Sequence, residues 1–223
     1  MEIIADSLEY DATDATLAAF DVQTRTFTFS EAKPGYRVNR TALQEDILAA
    51  LDEGAYDRVI VPKGEQVEPT ITKSQLVGQF GLISSFTTTT TKDKDRNNNI
   101  EISAAALNGR MVKPGDTMSF NDCTGQRTGE KGYREAGAIA GGVLVDDTGG
   151  GVCQTSSTLF NAVVRADLEI VKRSAHSWPS SYVNKGEDAT VNWPSLDFVF
   201  RNNGDYPVFV IAWYENQTVT VQI

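Results

Sequence analysis

Two residues in this chain could carry nucleophilic chemistry together. Cys153 follows three glycines in Gly149-Gly150-Gly151-Val152-Cys153-Gln154-Thr155-Ser156, and His176 is the one histidine of the 223 residues. A thiolate attacks carbonyls far better than a thiol, and it needs a base or a cation beside it. A cysteine and an imidazole therefore point to acyl transfer through a thioester. The glycines lack Cβ atoms, so the backbone can turn sharply and approach a substrate closely. Leu159, Phe160, Val163 and Val164 then recur at helical spacing, which predicts a helix over 154–167. Cys153 would stand at its N-terminus. The partial positive charge there favours the thiolate, and unpaired amides, those of Gly151 and Gln154 among them, could hold an oxyanion. Gln154 could add a side-chain donor.

His176 lies in Ala175-His176-Ser177-Trp178-Pro179, after a strand-like 168–173. A third group should orient its ring and stabilise the imidazolium. Asp188 and Asp197, both downstream of the histidine, are the candidates. Arg127 and Arg173 are candidate anchors for a substrate carboxylate, because a guanidinium binds carboxylate bidentately. Tyr133, Trp178 and Trp193 could line a groove for peptide or sugar.

Other chemistries remain open on these residues. Cys123, Cys153, His176 and an acid could hold zinc, although neither cysteine belongs to a Cys-x-x-Cys knuckle. Cys123 and Cys153 could pair as a disulfide, which would silence the nucleophile or switch it. Ser156 or Ser157 could serve as nucleophile, but neither sits in a Gly-x-Ser-x-Gly turn.

The elements that must position these residues are mixed. The alternation in 20–29 reads as one strand, and 41–51 as an amphipathic helix with Leu43, Ile47, Leu48 and Leu51 on one side, ended by Gly54. A short strand at Val59–Val61 and a polar connection over 62–69 follow. The threonine run 87–91 reads as an edge strand or extended loop, and Lys92-Asp93-Lys94-Asp95 as a solvated turn. Residues 100–107 read as a buried helix stopped at Asn108-Gly109. Residues 196–200, 206–214 and 218–223 read as strands, with a turn over 215–217. The fold class expected is α+β: a mostly antiparallel sheet with the cysteine-bearing helix packed on it, plus a smaller N-terminal α+β segment. The boundary is placed at 76/77.

The net charge of −10 and pI of about 4.6 argue against non-specific binding to nucleic acid or to anionic lipid. No apolar run is long enough to span a membrane, and no N-terminal charged-then-apolar signal is present.

Several blocks together resemble the VanW family. They are Arg96-Asn97-Asn98-Asn99-Ile100, Asn108-Gly109 with 113–121, Gly125-Gln126-Arg127-Thr128 with Lys131-Gly132-Tyr133, 149–156 with 158–162, Arg173-Ser174-Ala175-His176-Ser177, and 186–191. Their order and spacing cover roughly 78–223. The preceding stretch, with Lys33-Pro34-Gly35-Tyr36 and Val67-Glu68-Pro69-Thr70, resembles the end of a peptidoglycan-binding domain that often precedes a VanW domain. The resemblance implies an extracytoplasmic envelope protein, held at the membrane by an N-terminal anchor outside this sequence. It also implies an activity like that of L,D-transpeptidases, with Cys153 as nucleophile, peptidoglycan stem peptides as partners, and no cofactor or metal, and it makes Asp188, inside the 186–191 block, the first choice for the third group and Asp197 the second. The alternative is a non-catalytic module that binds peptidoglycan or glycopeptide-like ligands, with Cys153 structural. Cys123 departs from the family pattern, where a small or apolar residue is common.

Overall fold

The computed structural model describes residues 2–140 and 143–223. They form two compact units. One comprises the residues up to Asp21 with Thr26–Gly81, and the other Val22–Arg25 with Leu82–Ile223.

The first unit is a small α+β assembly of α1 (Glu2–Leu8), β1 (Leu17–Asp21), β2 (Thr26–Phe29), β3 (Gly35–Val38), α2 (Arg40–Asp52), β4 (Gly64–Val67) and α3 (Lys73–Gln79). The stretch expected to be one strand is a hairpin: β1 pairs antiparallel with β2. The chain reverses over 22–25, with Arg25 at φ 57°. That reversal uses no Asn-Gly or similar pair, so the usual composition signal is missing. Asn39 caps α2 by accepting the Ala42 amide. The helix is as expected, but its inner stripe is Leu43, Ile47 and Ala50, while Leu48 and Leu51 are half exposed. Val59–Val61 is not a strand; Val59 is 87% and Val61 77% exposed. The strand lies instead at Gly64–Val67, inside the expected polar connection, paired with β3. Backbone fit decides this register, since a Cβ on Gly64 would lie 2.2 Å from the Arg37 carbonyl oxygen.

The second unit contains β5 (Ser85–Thr89), α4 (Lys94–Leu107), β6 (Arg110–Val112), β7 (Thr117–Ser119), α5 (Phe120–Thr124), β8 (Glu135–Ala140), β9 (Val143–Thr148), α6 (Val152–Arg165), β10 (Glu169–Lys172), β11 (Val199–Arg201), β12 (Val208–Glu215) and β13 (Thr218–Gln222). Four strands form an antiparallel sheet in the order β5-β13-β12-β6, three form a second in the order β10-β11-β7, and β8 and β9 pair antiparallel with each other. The fold is thus α+β with antiparallel sheets. β12 is rich in β-branched and aromatic residues, which suit a half-buried pleated surface. It reverses into β13 through Asn216 and Gln217, both at positive φ, as a two-residue hairpin turn requires.

The core lies between this sheet and two helices. α4 packs on β12 and β13, α6 on β5, β13 and β10, and the two helices on each other. Ile100, Ala104 and Leu107 from α4 meet Leu159, Ala162 and Val163 from α6, with Val210, Val219 and Val221 from the sheet. Each such large side chain removed from water contributes roughly 1.5–3 kcal/mol. α4 begins six residues earlier than its apolar part. Asp93 accepts the amides of Asp95 and Arg96, so the charged stretch read as a turn is the helix cap and first turn. The threonine run is the edge strand β5. Its Thr88 is buried and shares a hydrogen bond with Thr158 of α6.

Candidate active site

The glycine turn needs each of its glycines. Gly149 and Gly151 lie at φ +93° and +100°, which L side chains rarely adopt. Gly150 has ordinary φ but no room: a Cβ would stand 2.1 Å from the Ala136 carbonyl oxygen. Asn99, fully buried in α4, holds the turn in place. Its Nδ2 donates to the carbonyls of Gly150 and Arg134, each at 2.9 Å, and its Oδ1 accepts the Arg134 amide at 2.8 Å. Gly150→Ala should therefore lower stability by roughly 1–3 kcal/mol or more, because backbone rather than a flexible side chain must yield. A thermal melt checks this; an unchanged Tm would mean that the turn is not held as described.

The turn delivers Cys153 to the second position of α6, whose N-cap is Gly151. The sulfur is half-buried and accepts the Val191 amide at 3.5 Å, with Thr190 Oγ1 at 3.6 Å. The His176 imidazole lies close enough to the sulfur to stabilise a negative charge on it. Asp188 Oδ2 lies 2.6 Å from His176 Nδ1 and also accepts the His176 backbone amide at 2.6 Å. With Nδ1 committed to Asp188, Nε2 is the nitrogen left for Cys153. The side chains of His176 and Asp188 are each 9% exposed. Arg173 grips Asp188 from behind, donating to its Oδ1 at 3.1 Å and to its carbonyl at 2.7 Å.

The loop carrying these residues is pinned by the helix it serves. Ser157 Oγ accepts the Ala189 amide at 2.9 Å, and Asn161 Nδ2 donates to the Glu187 carbonyl at 2.6 Å. Thr190 closes back onto Ser174, its amide donating to the Ser174 carbonyl at 2.8 Å. The two turns of α6 beyond Cys153 thus fix the segment that brings Asp188 and Thr190 to the sulfur.

The electrostatics favour an ion pair. Burial pushes the Cys153 thiol up, but the His176 hydrogen bond, the Val191 amide, the imidazole charge and Thr190 outweigh it, and the thiol lies below its ordinary value. Burial pushes His176 down, but Cys153 and Asp188 raise it above its ordinary value. Asp188 is pushed up by burial and held down more strongly by its two hydrogen bonds from His176. These shifts are mutually consistent: thiolate, imidazolium and carboxylate stabilise one another.

At the helix start, the Val152 amide donates to Gly149 and the Gln154 amide to Gly151. Among the described residues the amides of Gly151 and Cys153 have no acceptor. Gln154 departs from expectation. Its amide is used, and its side chain donates to Thr88 Oγ1 at 3.0 Å and to the Thr89 carbonyl at 2.9 Å, tying α6 to the edge strand. Arg173 is likewise occupied by Asp188 and Gly186 rather than open to a ligand. Asp197 caps a different segment, accepting from Ser119 and from the Asn121 and Phe198 amides. Tyr133 sits in the core with its hydroxyl buried and unpartnered, near Arg127.

Three site residues escaped the sequence reading. Tyr182 lies in a loop segment with no local pattern, and Thr190 lies in the 186–191 block, where nothing local marks its role. Burial pushes the Tyr182 phenol up to about 12, so it stays neutral beside the sulfur's charge. Arg96 lies in a quoted block but carried no assigned role; the helix cap three residues before it was the overlooked signal.

Cys123 and Cys153 are both free thiols, and burial pushes Cys123 above its ordinary value. Among the described residues no group of three His, Cys, Asp or Glu side chains is arranged to hold a metal. No helix of the described residues is long and apolar enough to cross a membrane. Cys123→Ser should leave alkylation of Cys153 at pH 7 within about twofold of the parent, since Cys123 is not among the groups that shift the Cys153 thiol. Loss of Cys153 labelling in that variant would contradict it.

The family model described as VanW like protein matches residues 95–223, more than half of the chain and all of the site just described. The chain belongs to the VanW family. It is 48% identical over 113 residues to the uncharacterized protein YoaR of Bacillus subtilis (strain 168), covering 51% of this chain and 37% of that protein. It is 34% identical over 129 residues to the vancomycin B-type resistance protein VanW of Enterococcus faecalis (strain ATCC 700802 / V583), covering 56% of this chain and 47% of that protein. The matches thus span less than half the length of either relative. No solved structure gives a significant match. Within the VanW region lie the glycine turn, Cys153, His176, Asp188 and both Arg96 and Arg127.

Proposed function

We propose that this chain is a cysteine-dependent peptidoglycan L,D-transpeptidase of the cell envelope. The observation that carries the reading is the sulfur–imidazole–carboxylate series of Cys153, His176 and Asp188 at the start of α6, beside the unpaired amides of Gly151 and Cys153. The Cys153 thiolate attacks the carbonyl carbon of the third residue of a donor stem peptide. A C–S bond forms and the carbonyl π pair moves onto oxygen, where the two amides stabilise it. Collapse breaks the C–N bond to the terminal D-alanine, and the His176 imidazolium protonates the departing amine. A side-chain amine of an acceptor stem then attacks the thioester. His176 takes its proton, the C–S bond breaks, and the thiolate is regenerated. Water in place of the amine makes the same site a carboxypeptidase.

Asp188 holds the ring so that Nε2 faces the sulfur, and Arg173 holds Asp188; both act by positioning. The name of the Enterococcus relative, a vancomycin resistance protein, fits a role among cell-wall precursors. On this reading the chain works outside the cytoplasm, in the cell envelope.

The test is mass spectrometry of the protein after incubation with a tetrapeptide-stem muropeptide. A mass increase on Cys153 equal to the stem without its terminal D-alanine, with free D-alanine released, is the expected result. Neither product under conditions where Cys153 alkylates readily would leave a ligand-binding module with a structural thiol as the better account.

A further inference from the structure

Two arginines flank the turn that delivers Cys153, and their guanidinium groups lack partners. Nη1 of Arg96 and both Nη1 and Nη2 of Arg127 are shielded from solvent and donate to no hydrogen-bond acceptor among the described residues. Both side chains lie against the glycine turn. A Cβ on Gly151 would stand 2.6 Å from Arg96 Cγ, and one on Gly149 would stand 2.8 Å from Arg127 Cβ. Aromatic rings back them: the Arg96 guanidinium carbon is 6.0 Å from the Tyr182 ring centre, and that of Arg127 is 5.6 Å from Phe120. Each is close enough to Cys153 to sense the charge on its sulfur.

The nearby carboxylates do not answer them. Asp93 interacts with Arg96 only through space, its Oδ1 being given to the amides that start α4. Asp197 is spent on Ser119 and two amides. Arg173, by contrast, has its own carboxylate in Asp188. A buried guanidinium without an anion is costly, and an unpaired buried group in a site calls for an explanation. The simplest is that the missing anion arrives with the ligand.

We infer that Arg96 and Arg127 form an anion site beside Cys153 that takes the terminal carboxylate of the residue leaving in the first step. This deepens the transpeptidase reading and rests on it for the identity of the ligand. The consequence is specificity: the donor must end in a free carboxylate one residue beyond the carbonyl that Cys153 attacks. A stem amidated at that end, or extended by a further residue, displaces the charge or removes it.

The test has two arms, so that the anion site and the transpeptidase reading can fail separately. The first uses no peptide. In the Cys123→Ser background, Cys153 is alkylated with iodoacetate, which is anionic, and with iodoacetamide, which is neutral. The rate ratio is compared with that of N-acetylcysteine amide. An anion site predicts a ratio about tenfold or more above the reference thiol, with Arg96→Gln and Arg127→Gln each lowering it severalfold. Stabilisation of the thiolate alone would change both reagents together and leave the ratio alone. Circular dichroism checks folding. The His176 imidazolium also attracts an anionic reagent, so the arginine contribution is read from the fall in the variants, with Arg96→Lys and Arg127→Lys as milder replacements where a glutamine variant does not fold. A parent ratio equal to the reference, or one unchanged in both folded variants, overturns the anion site.

The second arm offers two tetrapeptide stems that differ only in a C-terminal carboxylate or carboxamide. At least tenfold faster adduct formation from the carboxylate is expected. Equal rates overturn the proposal. No adduct from either peptide counts against the transpeptidase reading, and the alkylation ratio then decides the anion site alone.

Discussion

Cys153→Ala is expected to give a folded protein that forms no adduct with a stem peptide and releases no D-alanine. The fold should survive because the change removes only a half-buried sulfur, and alanine suits the first turn of a helix. The stability loss should be on the order of 1 kcal/mol, partly from the sulfur's contacts with Thr190 and Val191. The loss of activity should be far larger, roughly a thousandfold or more, because the other thiol, Cys123, is pushed up by burial and His176 is not among the groups that act on it. Ser156 and Ser157 cannot substitute. Ser156 is fully buried, and Ser157 is hydrogen-bonded to the Cys153 and Ala189 backbones. The measurement is intact-protein mass together with D-alanine release. Turnover by a well-purified Cys153→Ala protein would falsify the cysteine mechanism.

The second large effect concerns pH. In the folded protein the Cys153 thiol is lowered and His176 is raised, each chiefly through the other once burial is overcome. The thiolate–imidazolium pair therefore forms as pH rises through the lowered thiol value, and is lost as pH rises through the raised imidazole value. Alkylation of Cys153 should stay fast well below the ordinary cysteine midpoint of about 8.5. In His176→Ala the imidazole terms vanish while burial remains, so the midpoint should move up. Asp188→Asn should move it in the same direction by less, since it weakens the imidazolium rather than removing it. It should also cut acyl transfer by roughly a hundredfold or more, because the ring loses the acceptor that fixes its tautomer. Iodoacetamide labelling against pH in the Cys123→Ser background reads the midpoints. A midpoint near that of free cysteine, identical with and without His176, would rule out the ion pair.

Much of the architecture was legible from local pattern. The helix behind Cys153 follows from its apolar spacing, and the β12–β13 hairpin from its strand residues and short turn. Elements whose boundaries depend on backbone fit were not. β4 forms where Gly64 lets Arg37 approach, although the more apolar Val59–Val61 lies just before it. The 20–29 alternation continues across a reversal because the hairpin turn itself lacks turn-forming residues. The short strands β6 and β7 pair with β12 and β11, which are distant in sequence, and their own composition is weak evidence for them.

The sequence by itself determined the components of the site. Three glycines ahead of a helical pattern place a cysteine at a helix start, because φ preference and periodicity are local properties. The presence of one imidazole limited the choice of base. Tertiary structure decided how each component is used. It brought Asp188 rather than Asp197 to His176, because Ser157 and Asn161 pin the 187–189 segment to α6. It committed Gln154 to the edge strand and Arg173 to Asp188, which removed two expected ligand contacts. It also left Arg96 and Arg127 unpaired at the glycine turn. Whether a charged side chain is satisfied depends on every group packed around it, and those groups come from segments far apart in the chain.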